Sequence, residues 1–138
     1  MTATGLYRIA AIVFVLFALG HTYGFLTLRA PSAEGRAVYD AMNSVHFTVH
    51  GRSYTYGNFY RGFGLSCTVA MLFSAFVAWH LGELARSAPA AIGALAWVFF
   101  AVQVVGAVLS FLYFGPPPMV LSALVALLLA WAAWLVRG

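Results

Sequence analysis

The sequence predicts an all-α membrane protein: an antiparallel four-helix transmembrane bundle with one long, partly structured loop between helices one and two. Three observations predict it. Hydrophobic residues make up 64% of the 138 and charged residues only 7%, whereas a soluble domain carries about a quarter charged residues to cover its surface. The charges leave long stretches of the chain empty, and a spanning helix needs ~20 apolar residues. The apolar runs do not alternate, which excludes a barrel, and an open sheet cannot cross hydrocarbon because its edge groups stay unpaired.

The first span is expected from Leu6 to Leu28, with no charged residue between Arg8 and Arg29. Arg8 followed by the apolar run Ile9–Gly20 imitates a signal peptide. No small-x-small cleavage site follows and the run continues to Leu28, so the segment reads as a retained helix. The long loop, 29–61, is the only substantial polar region. Within it Ser32 is placed to cap a short helix from Ala33 to Met42, with Val38 and Met42 on one face and Asn43 at its end. The stretch from Ser44 to Gly51 has strand composition and could pair with Tyr54-Thr55-Tyr56 as a short hairpin. An interfacial helix is the alternative.

The second span is expected over 62–82, between Arg61 and Glu83. No charged residue then stands between Arg86 and Arg137, a stretch far too long for one span. Gly115-Pro116-Pro117-Pro118 divides it, since three prolines remove three backbone donors. The third span is therefore expected over 89–114, with Pro89 in its first turn, and the fourth over 119–136. Residues 1–138 form a single transmembrane domain on this reading.

The net charge is +4, and every basic residue is Arg. There is no basic run, so nucleic acid is not an expected partner. The single Cys67 excludes an internal disulfide and a CxxC redox pair. With the termini inside, Arg8, Arg86, Arg137 and the amino terminus balance Arg29, Arg36, Arg52 and Arg61 on the other side, so the positive-inside rule does not choose. The loop arginines look recruited to local structure, which points to both termini cytoplasmic.

The polar residues gather at the long-loop side of the predicted bundle. Candidate ligand-binding residues are His21, Tyr23, His46, Arg52, Tyr56, Asn58, Tyr60, Arg61, Gln103 and Tyr113. His21, between Gly20 and Gly24 near the end of the first span, is the candidate catalytic group. An ionisable side chain inside a span is costly and faces protein or water. It is either a proton carrier or donor to a buried ligand, or a neutral histidine tying helix one to a loop carbonyl. Gln103, mid-span, serves as interhelical glue or lines the pocket, and Gly106 with Ser110 forms a small-xxx-small pair suited to close packing.

His46 and His50 are four apart, which a helix or a strand would place on one face. With His21 they could make a three-histidine set. No carboxylate lies close and no HExxH pattern exists, so no metal and no cofactor are expected. The aromatic stretch from Tyr54 to Gly64 is an interfacial belt or a pocket wall. Trp79, Trp131 and Trp134 read as the opposing belt, and His80 and Glu83 as an i,i+3 pair. The sequence has no nucleophile elbow, no phosphate loop and no paired acids.

The stretches Gly20-His21-Thr22-Tyr23-Gly24-Phe25 and Asn58-Phe59-Tyr60-Arg61-Gly62-Phe63-Gly64-Leu65 resemble those of an uncharacterised family of small bacterial four-helix integral membrane proteins. The resemblance covers nearly the whole chain in length and span order, and its specific motifs are these two. The family pattern sets an Arg before a Thr-Tyr pair and an acid before Phe-Tyr. Here Tyr54 and Asn58 stand at those positions, with Arg52 nearby, so a fixed charge pair is not expected. The resemblance implies the fold and no activity.

The expected function is a multi-pass membrane protein with a pocket for a lipophilic ligand, a lipid or quinone-like molecule, under the long loop. Two alternatives stay open. One is a membrane-embedded enzyme (an isomerase, cyclase or quinone-linked oxidoreductase) using His21 with Tyr and Arg. The other is an accessory subunit of a membrane complex. Membrane lipid is the expected partner, with a lipophilic small molecule as ligand and a homo-oligomer open.

Overall fold

The computed structural model describes residues 1–27 and 30–137. The chain is mostly helical. Its elements are α1 (Ala3–Thr27), α2 (Ala33–Ser44), β1 (His46–Val49), β2 (Arg52–Thr55), α3 (Tyr56–Ser87), α4 (Leu95–Tyr113) and α5 (Pro116–Arg137), with a 3-10 turn at Pro89–Ala91. Four of them, α1, α3, α4 and α5, are long and apolar enough to cross a membrane. Their large apolar side chains are widely exposed, Phe73, Phe76, Phe111, Leu127 and Trp134 all beyond 60%. So much bare hydrocarbon on a monomer marks surface meant for a non-aqueous neighbour.

The chain divides into two compact units: Met1–Phe17 with Met71–Gly138, and Ala18–Ala70. The first holds the main core. Leu6, Tyr7, Ala10, Ala11 and Phe14 of α1 pack with Ala75, Ala78 and Leu81 of α3, Ala96 and Phe99 of α4, and Val125, Leu129, Ala132 and Ala133 of α5. Seven of these residues are alanines, the small side chains that let helix backbones approach closely. Phe14 and Phe99 stack at 5.9 Å.

Each helix end has a local cause. Thr2 Oγ1 accepts from the Gly5 amide at 3.2 Å and starts α1. Its expected end, Leu28, lies with Arg29 outside the described residues. Ser32 Oγ accepts from the Gly35 amide at 3.0 Å and caps α2. This helix runs to Ser44, two residues past the expected Met42. Asn43 does not end it, because its side chain folds back to donate to the Tyr39 carbonyl at 2.7 Å, inside the helix.

The second apolar helix, α3, is far longer than the 62–82 expected. Its 32 residues rise about 48 Å against a hydrocarbon core of about 30 Å. The apolar stretch marks only what lipid would cover. The helix itself starts where Thr55 Oγ1 accepts from the Asn58 amide at 3.1 Å and continues to Ser87. The third long apolar helix starts at Leu95, not Pro89. Pro89 opens the 3-10 turn, and Gly93, with φ +50°, separates that turn from α4.

The fourth helix starts at Pro116, not Met119. Three consecutive prolines occupy its first turn, where amide hydrogens have no intrahelical acceptor and their loss costs nothing. Gly115, with φ +85°, ends α4, and the amides of Phe114 and Gly115 both donate to the Ser110 carbonyl, at 3.0 and 3.2 Å. Along the α4–α5 pair, Ser110 and Ser122 hydroxyls meet at 3.4 Å. Gly106 is not a close-packing site: a Cβ built there meets nothing within 4 Å.

The expected His80–Glu83 pair does not form. Glu83 accepts from Arg8 of α1 and, at 2.8 Å, from Arg86 one turn on. Two permanently charged guanidinium groups outcompete a histidine for one carboxylate. The Arg8 guanidinium also lies 5.2 Å from the Trp79 ring centroid, a cation–π contact. His80 stacks on Phe76 instead, 6.2 Å and 6° from parallel.

Candidate functional site

Most of the candidate residues fall in the unit Ala18–Ala70, which holds the end of α1, α2, the β1–β2 hairpin and the start of α3. The hairpin pairs His46 with Thr55, Phe47 with Tyr54, Thr48 with Ser53 and Val49 with Arg52. His50 and Gly51 form its two-residue turn, with φ +50° and +76°. Positive φ at both central positions is the mirror-image turn that matches strand twist. His50 therefore sits in the turn, not on a strand face shared with His46. His46 Nδ1 donates to the Ser44 carbonyl at 2.8 Å. Among the described residues no three His, Cys, Asp or Glu side chains come together in a set that could hold a metal.

His21 is half-buried, and its Nε2 donates to the backbone carbonyl of Gly64 on α3 at 3.1 Å. One turn along, Thr22 Oγ1 meets Thr68 Oγ1 at 2.8 Å and lies 2.7 Å from the Ala18 carbonyl. These contacts make a polar seam between α1 and α3. Beside it Phe25 stacks on the His21 ring at 5.7 Å and tilts against Tyr60 at 5.1 Å. The Phe25 ring occupies the space a side chain at Gly64 would take, for a Cβ there would collide with the Cζ edge of the ring. Gly64 is a seat for Phe25, required by close approach.

A second glycine seats α2. A Cβ on the buried Gly57 would collide with the Asn43 side chain and come within 3.2 Å of the Met42 carbonyl. One turn further along α3, Arg61 donates to Asn43 Oδ1 at 2.7 Å. Asn43 thus joins α2 to α3 through a glycine below and an arginine beside it, which commits the Arg61 guanidinium to a structural partner.

The hairpin leads straight into α3, and aromatic rings line that junction. Phe47 packs against Tyr54 at 6.1 Å, Tyr56 at 4.9 Å and Phe59 at 6.1 Å, and Phe59 against Phe63 at 4.8 Å. Alongside them runs an open groove of about 510 Å³, lined by Tyr54, Asn58, Phe59, Gly62, Phe63 and Ser66. Asn58, Gly62 and Ser66 stand at i, i+4 and i+8, one stripe of a helix face. Gly62 is the floor: a Cβ there would meet nothing within 4 Å. Ser66 Oγ donates to the Gly62 carbonyl at 2.9 Å.

The structure thus gathers some of the sequence candidates and disperses others. Asn58 lines the groove, Tyr60 and His21 share Phe25, and Arg61 holds Asn43. Tyr23 is 73% exposed and Tyr56 is half-exposed. Arg52 stands exposed on the hairpin opposite Val49. Gln103, half-buried, and Tyr113, 74% exposed, belong to α4 in the other unit. Sequence reasoning missed Phe25, Asn43, Phe47 and Ser66. The i, i+4, i+8 stripe of Asn58, Gly62 and Ser66 was the available signal. In comparisons with known proteins, the chain matches no family model, no curated protein and no solved structure.

Proposed function

We propose that this chain is a multi-pass membrane protein that binds a lipophilic molecule with a polar head in the groove at the hairpin–α3 junction. The observation that carries the reading is an open, aromatic-lined groove with Gly62 bare beneath it and Asn58 and Ser66 in its lining, one turn of α3 to either side of that glycine. Binding sites for small molecules are concave and mostly apolar, with a few polar groups that orient the ligand. Apolar walls bury the body of the ligand at roughly 25 cal/mol per Å², and Asn58 and Ser66 fix its polar atoms. We place the protein in a bacterial plasma membrane with successive spans reversing direction and both termini cytoplasmic.

An enzyme built on His21 fits the geometry less well. Its Nε2 is spent on the Gly64 carbonyl, and the seam around it is made of hydroxyl and backbone groups within the helix pair.

Gly62→Leu tests the proposal, because the added side chain enters open space and fills the groove while leaving the helix contacts in place. Wild type and variant are purified in the same mild detergent and extracted with organic solvent, and the extracts are compared by mass spectrometry. A lipophile that accompanies the wild type and is depleted at least tenfold from the variant is expected. Equal recovery from both, or none from either, refutes the proposal.

A further inference from the structure

The lining of the groove restricts its ligand further, an inference that rests on the binding reading above. Tyr54, Asn58, Phe59, Gly62, Phe63 and Ser66 include no charged side chain. The nearest arginine in sequence, Arg61, is turned to Asn43. A phosphate or carboxylate head placed here would lose water and gain no cation, which is costly. A bare acyl chain would cover the Asn58 carboxamide and the Ser66 hydroxyl and leave both without partners, a penalty of the same kind. The groove calls for an uncharged ligand that carries hydrogen-bonding oxygens at two ends of an apolar body.

The spacing gives the size of that body. Asn58 and Ser66 are eight residues apart on a helix, a rise of about 12 Å. Two hydrogen bonds of about 2.9 Å take up half of that and leave about 6 Å between the ligand oxygens. That is the span of one six-membered ring with oxygens at opposite positions. A flat ring also suits the place: the glycine floor lets it lie against the helix backbone, and the rings of Tyr54, Phe59 and Phe63 offer edges and faces at stacking distance.

The hydrogen-bond polarity adds a preference between oxidation states. Ser66 already donates its hydroxyl hydrogen to the Gly62 carbonyl, so toward the groove it presents lone pairs. It accepts from a ring hydroxyl without breaking that bond. Asn58 can donate or accept. We infer that the groove binds a quinol-type ring, an uncharged six-membered ring with opposed oxygens, its hydroxyl toward Ser66, and binds the dihydroxy form more tightly than the quinone.

The probes are tetramethylhydroquinone, kept reduced under argon, its quinone, and phosphatidylglycerol, each titrated against detergent-purified full-length protein and followed by ligand-observed NMR. Saturable quinol binding is expected, with the quinone weaker by about 3- to 10-fold, the worth of one net hydrogen bond. Gly62→Leu should abolish it. Asn58→Leu should weaken it about tenfold while circular dichroism stays unchanged, since the α3 cap uses the backbone amide of residue 58 and not its side chain. Ser66→Ala should erase the quinol preference. Phosphatidylglycerol bound in a Gly62-dependent way, with no quinol binding, would overturn the ring assignment and leave the groove standing. No probe bound in a Gly62-dependent way would overturn both. A change of oligomeric mass in Gly62→Leu with no probe bound to the wild type would make the occupant a second copy of the chain, and would also overturn both.

Discussion

Alanine at position 64 meets the ring of Phe25, and alanine at position 62, two residues away on the same helix, meets nothing. This contrast makes a controlled experiment. Both substitutions gain about 1 kcal/mol of helix propensity over glycine. Only Gly64→Ala must push an aromatic ring aside, which in packed interiors costs about 1–3 kcal/mol. The propensity gain cancels in the comparison, so the two variants should differ by about 1–3 kcal/mol. Gly62→Ala should be at least as stable as wild type, and Gly64→Ala less stable than Gly62→Ala. The displaced ring also loses its places beside His21 and Tyr60, which puts the expected value in the upper part of that range. Stability is measured by titrating sodium dodecyl sulfate into detergent-purified protein and following near-UV circular dichroism. In a Phe25→Ala background the Gly64→Ala penalty should vanish, a coupling of at least 1 kcal/mol between residues in direct contact. Equal midpoints for the two alanine variants, or additivity with Phe25→Ala, would refute the packing of α1 on α3 described above.

Two further outcomes follow from single atoms. Thr55→Ala removes the hydroxyl that caps α3 and should cost about 1 kcal/mol, while Thr55→Ser should restore most of it; the same detergent titration reads both. Tyr7 is wholly buried and its hydroxyl finds no hydrogen-bond partner among the described residues. Tyr7→Phe removes an unsatisfied polar group and keeps the ring, so it should stabilise the protein by about 1–3 kcal/mol, and a loss of stability would show that the hydroxyl is engaged.

Composition made the class legible. So few charges on so apolar a chain leave four stretches long enough to span, and the four long apolar helices fall on them. Helix boundaries were less legible, because two different rules govern them. Hydropathy marks what lipid would cover, whereas caps and turns mark where a helix stops. Hence α3 outruns its apolar stretch at both ends, and the prolines read as a break belong to the first turn of α5. The site was read by residue type, which favoured His21, Arg52 and Arg61. The structure commits His21 to a backbone carbonyl and Arg61 to Asn43. The groove is instead built from an absence, the missing side chain of Gly62, with phenyl rings beside it. Glycine is the hardest residue to interpret in a sequence. Gly57, Gly62 and Gly64 lie within eight positions, yet one seats an asparagine, one opens a groove and one seats a phenylalanine. Only tertiary neighbours tell them apart.

Whether the exposed Phe, Leu and Trp side chains of these helices face hydrocarbon is best tested by washing membranes from expressing cells with alkaline carbonate. The protein should stay in the membrane pellet and leave it only with detergent. Release into the wash as a stable, monodisperse monomer that needs no detergent would contradict the whole account.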